Sequence, residues 1–382
     1  MTEASVLVRS GATITRVQCA LYRVPLAEPV SDAKVFTGRQ RPLADVDVLV
    51  AEVATSDGAR GIGFSYSKRA GGPALFAHAR QIAPLLVGED PLDTGRLWEK
   101  LLWAAASVGR QGVSVQAVSA FDIALHDRKA KVAGMSLAKL LGSYRSSVRC
   151  YDTDGGFLST DIATVIANAE RSLARGIGGI KLKVGGEPKE DLSRVRALRR
   201  ALGDDVPLMV DANQQWDRSA ARRMGRRLED LDLTWIEEPL DSEDIEGHAA
   251  LRAALETPIA SGDMLSTARD HRRLLEAGAI VVLQPDAPRI GGITPYRRVA
   301  DLADELGVAV APHFATQLHV HLAACQPREG WVEWFDWLDP LFVERLELRE
   351  GRVLVPDRPG IGLTLSPRAA EWLVDSAEIL PT

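Results

Sequence analysis

The chain has 382 residues, 46% of them apolar and 26% charged, with a net charge of −6. That length is too great for one small core and suits one large domain with a smaller companion. The mild acidity and the lack of any basic block exclude a nucleic-acid surface, and no apolar run approaches membrane-spanning length.

The N-terminal stretch MTEASVLVRSGATITRV lacks the apolar core of a signal peptide. The segments ITRVQCALYRVPL and DVDVLVAEVATSDGARGIGFSYS alternate in polarity and are rich in β-branched residues. They read as an antiparallel meander, with Asp57-Gly58 as a hairpin turn. Helical patterns follow from about residue 74 to 86, 93 to 106 and 113 to 133, the last stopped by Gly134 as a C-cap. This part forms a small α+β unit. Cys19, Cys150 and Cys325 are scattered without metal-like spacing, which fits a reduced, cytoplasmic setting.

From about Val148 short apolar strands alternate with amphipathic helices: VRCYDT, GIKLKV, PLMVDA, TWIEE, PIASGD, IVVLQPD and VAVAPH, with an eighth strand near Trp331 to Glu333. Eight such strands match a parallel barrel. An open doubly wound sheet is the competing architecture, but no glycine-rich dinucleotide fingerprint follows its first strand. The Pro-rich tail after Pro340 carries one strand-like piece, GRVLV, and the tail is expected to pack back on the N-terminal unit.

Three carboxylates close apolar runs at intervals of about 26 residues, Asp211, Glu237 and Asp263, close to one strand–helix step of a barrel. Strand C-termini converge on one mouth, so the three are expected to meet there as oxygen ligands suited to Mg²⁺. Lys181 and Lys183 in KLK share a strand face, with Cβ atoms roughly 6.5 Å apart. At an effective dielectric near 20 their repulsion is about 2.5 kcal/mol, enough to lower one pKa by about two units toward general-base duty. Asp286 ends the sixth strand and His313 the seventh, where the carboxylate can orient the imidazole and raise its basicity. Glu333 on the eighth strand, if protonated, could donate to a developing oxyanion. Asn213, two residues past Asp211, shares its face and is expected to touch metal-bound water or substrate.

Singly, each such residue reads as a helix cap or a solvated charge. Jointly, barrel geometry puts them at one face. Other motifs are weaker. His319 and His321 sit two apart in a helical pattern and make a poor metal pair. Trp331, Trp334 and Trp337 read as packing or subunit contact. Gly185-Gly186 lacks a P-loop ending, and there is no Gly-x-Ser-x-Gly elbow.

Together these residues resemble the mandelate racemase subgroup of the enolase superfamily over nearly the whole chain. The resemblance implies an α/β fold: a modified TIM (β/α)7β barrel over 147–339, with an α+β capping domain from 1–146 completed by about 340–382. It implies that Asp211, Glu237 (rather than Glu238) and Asp263 hold Mg²⁺. Lys183 is then one acid/base with Lys181 as its electrostatic partner, His313 the opposite one held by Asp286, and Glu333 faces the enolate oxygen. DAKVFTGRQRPL, GFSYSKRAGG, LLWAAASVGRQG, VDANQQWDR and EWFDWLDPLF look like the galactarate/L-talarate dehydratase branch. This implies dehydration of a six-carbon diacid sugar to a 2-keto-3-deoxy acid (5-dehydro-4-deoxyglucarate), with possible side epimerisation. Lys68 and Arg69 would then meet the distal carboxylate. Asp263 stands where that branch leads one to expect Glu. LQPD carries no sixth-strand lysine, which disfavours the muconate-lactonising branch. Similar proteins assemble as homo-octamers or tetramers. The rival readings are a racemase or epimerase of a 2-hydroxy acid, a dehydratase of another acid sugar such as an aldonate, a non-catalytic binding protein, and a metal-dependent hydrolase. The hydrolase would want a histidine-rich zinc site.

Overall fold

The computed structural model describes residues 11–381. Most of the N-terminal stretch read as free of a signal core lies outside the described residues. Among those described, no helix is long and apolar enough to cross a membrane.

The alternating segments at the start form β1 (Ile14–Val30), β2 (Leu43–Thr55) and β3 (Arg60–Lys68) of an antiparallel sheet. The turn between β2 and β3 uses Gly58 at φ 83°, a left-handed conformation that glycine tolerates without a Cβ clash. A short helix α1 (Ala33–Phe36) follows β1, and Asp32 caps it by accepting from the Lys34 N–H. Three further helices cover one face: α2 (Gly72–Ile82), α3 (Thr94–Ala104) and α4 (Val113–Val132).

Helix α4 is buried nearly all round. It lies so close to β3 that a Cβ on Gly63 would stand 2.2 Å from the Ala120 carbonyl oxygen. Glycine at 61 and 63 is therefore what lets the sheet touch the helix backbone. The polar residues of α4 tie elements together. Asp127 accepts the Ile62 N–H at 2.8 Å and the Ile361 N–H at 2.7 Å. Asp122 accepts from the Thr294 backbone at 2.9 Å and its hydroxyl at 2.6 Å.

The eight expected strands are all present. They are β4 (Ser147–Asp152), β5 (Ile180–Lys183), β6 (Leu208–Asp211), β7 (Trp235–Glu237), β8 (Ile259–Ser261), β9 (Val282–Leu283), β10 (Ala309–Val310) and β11 (Trp331–Trp334). Neighbours from β4 to β10 pair in parallel, and β11 pairs in parallel with β4. The side chains of Leu182, Leu208, Val210, Ile236, Ile259 and Leu283 join one large core cluster. Such continuous apolar runs belong to strands covered on both faces.

The tail returns to the N-terminal unit as expected, but through a strand later than GRVLV. GRVLV does not pack on the N-terminal unit. Its strand β13 (Arg352–Leu354), preceded by β12 (Leu348–Arg349), pairs antiparallel with the start of β4. The chain ends in a strand not anticipated, β14 (Leu373–Ile379), which pairs antiparallel with β1. Leu373 and Val374 face solvent, so β14 shows no buried alternation to read.

Candidate active site

The barrel strands end at one mouth beneath β3 and the segment after β1. A cavity of about 200 Å³ lies there, with Lys183, Asp211, Asn213, Asp263, His313 and Glu333 on the barrel side. Lys68, Tyr66, Arg69, Asp32 and Lys34 approach from the other side.

Register explains the convergence. Lys183 pairs with Asp211, and Asp211 with Glu237, along β5, β6 and β7. Beyond these strand ends the backbone is strained: Asn213, Gln214, Glu238, Phe314 and Ala315 all have positive φ without being glycine. Such conformations cost of order 1–3 kcal/mol each and cluster at functional sites.

The KLK pair meets carboxylates rather than repelling into neutrality. Lys181 Nζ lies 2.5 Å from Glu237 Oε1, 2.8 Å from Glu333 Oε1 and 3.8 Å from Asp211 Oδ2, with 1% of its side chain exposed. Lys183 pairs with Asp211 Oδ2. The expected lowering of a lysine pKa is thus reversed. Burial alone would lower both, but Glu237 and Glu333 hold Lys181 well above its usual value and Asp211 raises Lys183.

Glu333 also differs from expectation. Oε1 accepts from the Thr153 hydroxyl at 2.6 Å and Oε2 from the Phe314 N–H at 2.9 Å. Burial would raise its pKa, yet Lys181 and Lys183 lower it, so it stands as an ionised acceptor rather than a protonated donor.

The dyad is present. His313 Nδ1 lies 2.8 Å from Asp286 Oδ2, while Nε2 faces Asp263 and Glu333, each at 3.9 Å. Its basicity is not raised. Burial, then Lys68 and Arg289, push the imidazole well below its usual pKa, and burial lifts Asp286 to about 7. The ring therefore stands neutral, the form a base requires.

The three carboxylates named as metal ligands are not closed into a cage. Among the described residues no three His, Cys, Asp or Glu side chains are gathered as a metal site. Asp211 and Asp263 line the cavity. Glu237 is turned aside, giving Oε1 to Lys181 and Oε2 to Gln284 Nε2 at 2.6 Å and Trp235 Nε1 at 3.1 Å. Burial pushes Glu237 up to about 8. Glu238 has Oε1 on Gln214 Nε2 at 2.8 Å, and burial and Asp263 hold its carboxyl well above the usual range.

Two observations fit a divalent cation here. Asp263 Oδ1, Asn213 Oδ1 and Glu238 Oε2 are buried oxygens without a hydrogen-bond partner. The site also gathers six carboxylates (Asp211, Glu237, Glu238, Asp263, Asp286 and Glu333) around four cationic side chains (Lys68, Lys181, Lys183 and Arg289). Carboxyl groups thus outnumber cationic side chains by two, and the raised pKa of Glu237, Glu238 and Asp286 is what an added cation would bring down.

On the opposite wall, Lys68 Nζ stands 4.1 Å over the Phe314 ring and within 6 Å of Tyr66, Phe335 and Trp337. Arg69 is largely committed elsewhere. Its Nε donates to the Arg41 carbonyl at 2.7 Å and one terminal nitrogen to Asp32 at 3.0 Å, tethering the segment after β1. Trp337 packs as expected, stacked on Phe157, and donates to Asp154 at 2.7 Å. His319 and His321 lie in a buried helix, Thr316–Ala324, and bond to backbone rather than to each other.

Sequence reasoning missed Arg289 and Tyr66. Arg289 follows Asp286 by one helical turn, in the short helix Ala287–Ile290, so it points to the same region. Tyr66 belongs to the alternate set Ile62, Phe64, Tyr66 of β3, all buried, and its aromatic character masked its polar tip.

The "Enolase C-terminal domain-like" family model matches residues 164–369, and the "Mandelate racemase / muconate lactonizing enzyme, N-terminal domain" model matches residues 26–142. The chain is 57% identical to an L-talarate/galactarate dehydratase of Salmonella typhimurium, across 95% of this chain and 92% of that protein. A crystal structure of the Salmonella enzyme, liganded with Mg and L-lyxarohydroxamate, superposes with a TM-score of 0.96 at 56% identity, covering 97% of this chain and 95% of that one. An L-talarate dehydratase from Polaromonas sp. JS666, complexed with Mg and L-glucarate, gives a TM-score of 0.94 at 59% identity, covering 97% and 100%. With both family models matched and the strand-end residues in register, the chain belongs to the mandelate racemase/muconate lactonizing enzyme family of the enolase superfamily.

Proposed function

We propose that this protein is a Mg²⁺-dependent dehydratase of acid sugars, taking galactarate/L-talarate-type diacids to a 2-keto-3-deoxy acid. The observation that carries the reading is one polar cavity with Lys183 and His313 entering from different strands, β5 and the end of β10, beside carboxylates that exceed their cations. Similarity to the Salmonella and Polaromonas dehydratases supports the diacid substrate and the metal.

Asp211, Glu237 and Asp263 would hold the ion, with the partnerless oxygens of Asn213 and Glu238 beside them. Bound there, Mg²⁺ neutralises charge on the substrate carboxylate as the α-proton leaves. Lys183 or His313 takes that proton, according to the configuration at the α-carbon. The C–H electron pair moves into the enediolate, whose collapse expels the β-hydroxyl as water after protonation by the opposite group. The resulting enol tautomerises to the ketone. His313 stands neutral, ready to accept a proton. Asp211 holds Lys183 charged, ready to give one, so Lys183 would act as a base only once Asp211 is taken up by the bound ion and the ammonium has released its proton. Asp263, in place of the expected Glu, lines the cavity and keeps an oxygen free.

Incubating the protein with galactarate and Mg²⁺ should give a semicarbazide-reactive keto acid. Removal of metal by EDTA should abolish that product, and added Mg²⁺ should restore it. Epimer without keto acid would replace this reading with that of an epimerase.

Lys68 is the contact for the distal carboxylate, since Arg69 is already tied to Asp32 and Arg41. Burial, with Arg289 and Lys183, draws Lys68 down to about 7 against the pull of Glu333 and Asp286. It is cationic below that pH and neutral above it, so KM for a diacid should rise as pH climbs through about 7. Lys68→Met should raise that KM roughly 10–100-fold, the worth of one charged hydrogen bond. An aldonate, which has no distal carboxylate, should be little affected. Equal loss for both substrates would place Lys68 elsewhere in the reaction.

A cytoplasmic location fits three free cysteines, and assembly as a tetramer or octamer follows the habit of the family. Light scattering on the eluting peak reads the assembly directly.

A further inference from the structure

The acid/base dyad is not made by the barrel alone. Tyr66, on β3 of the N-terminal sheet, donates its hydroxyl to Asp286 Oδ2, and its oxygen lies 3.3 Å from His313 Nδ1. One carboxylate oxygen thus carries both the tyrosine and the histidine, while Asp286 Oδ1 has no hydrogen-bond partner. The tyrosine is itself held. It is 1% exposed, its ring meets the Phe314 ring edge-on at 4.7 Å, and its carbonyl accepts from Gln116 at 3.0 Å. One residue earlier, the Ser65 hydroxyl donates to the Pro288 carbonyl at 2.7 Å, which fastens β3 to the turn bearing Asp286.

We propose that Tyr66 is a positioning residue for His313: its hydroxyl fixes the Asp286 carboxylate, and so the tilt of the imidazole whose Nε2 faces the substrate. This rests on the acid/base role given to His313 above. The physical argument is rotational. A carboxylate bonded only through one oxygen to one ring nitrogen can pivot about its χ2 angle, and the imidazole pivots with it. A second donor on that oxygen, locked in a packed sheet, removes the freedom. Lys183 sits on β5 and is held by Asp211. Its charge reaches His313, but among the described residues no hydrogen bond ties it to Tyr66, Asp286 or His313, so its placement does not depend on the tyrosine hydroxyl.

The test is exchange of the α-proton in D₂O, followed by NMR, on the Mg²⁺-loaded protein with galactarate and with its epimer at the reacting carbon. His313→Asn and Lys183→Ala first establish which epimer reports each base. Tyr66→Phe, which keeps the ring and loses only the hydroxyl, should slow the His313-dependent exchange by about 10–100-fold, the usual cost of losing an orienting partner. The Lys183-dependent exchange should stay within about twofold of its starting rate, because the variant removes nothing near β5. Combining Tyr66→Phe with Asp286→Asn should be no slower than Asp286→Asn alone, since both act on one device. If His313→Asn suppresses one exchange and Tyr66→Phe spares it, the tyrosine proposal falls while the assignment of bases stands. Equal slowing of both exchanges overturns it as well, by showing a general effect on the fold. If His313→Asn alters neither exchange, the base assignment fails and takes the proposal with it.

Discussion

Lys183→Ala and His313→Ala are each expected to lower kcat for the diacid by about 10²–10⁴-fold, the usual contribution of a positioned acid or base. The loss should fall on kcat more than on KM, because neither side chain is the main anchor of either carboxylate in the proposed complex. The two variants should also differ from one another. Lys183→Ala removes the charged hydrogen-bond partner of Asp211 Oδ2, leaving Asn213 Nδ2 at 3.1 Å, so it changes the charge beside the carboxylates of β6 and β7. His313→Ala leaves that side intact and empties only the wall near Asp286. Substrates epimeric at the α-carbon should therefore rank the variants in opposite orders. Full turnover by both variants would remove Lys183 and His313 from the reaction.

Lys181→Met should be the most damaging substitution for the fold, by about 3–5 kcal/mol, the cost of stripping a buried charge of its partner. Its ammonium is 1% exposed and bridges Glu237 and Glu333, with Asp211 just beyond. Methionine fills a similar volume, so the loss is electrostatic rather than a cavity. Three carboxylates would then share a buried space with Lys183 as the nearest cation. Urea unfolding at neutral pH should show the midpoint falling. As pH falls below about 4 toward 2, Asp211 and Glu333, which Lys183 and Lys181 hold below the usual carboxylate range, take up protons, and the gap to the parent protein should narrow because protonated groups no longer need the ammonium. A midpoint unchanged at both pH values would mean that Lys181 contributes nothing net to folding.

Much of this site was legible because strand ends in a barrel are tied to sequence spacing. Asp211 and Asp263 line the cavity, and Lys183 and His313 enter it, because each closes or follows an apolar run of the same rhythm. Protonation states were not legible. The KLK spacing suggests two cations repelling, but only the folded chain shows that Glu237 and Glu333 reach Lys181 from strands 56 and 152 residues away in sequence. The same hidden partners turn Glu333 into an acceptor. Contacts across the two sheets were equally hidden. Tyr66 reads as a core aromatic from strand alternation, and nothing local announces that its hydroxyl meets a carboxylate 220 residues later. Which strand of the tail returns to the N-terminal sheet was hidden for a related reason: β13 is an apolar strand wherever it docks, and β14 lacks a buried face to betray it.

The last strand has a consequence for synthesis. β1 pairs on one side with β2, its neighbour in the chain, and on the other with β14, which is made about 340 residues later. Until then one edge of β1 offers unpaired backbone groups, which invite pairing with another chain. The other strands of that sheet end by Lys68, so the edge stays open while residues 69–372 are made. β13 closes its place beside β4 only shortly earlier. A nascent or truncated chain lacking residues 373–379 would therefore carry a ready template for aggregation, and chaperone dependence should concentrate on that interval.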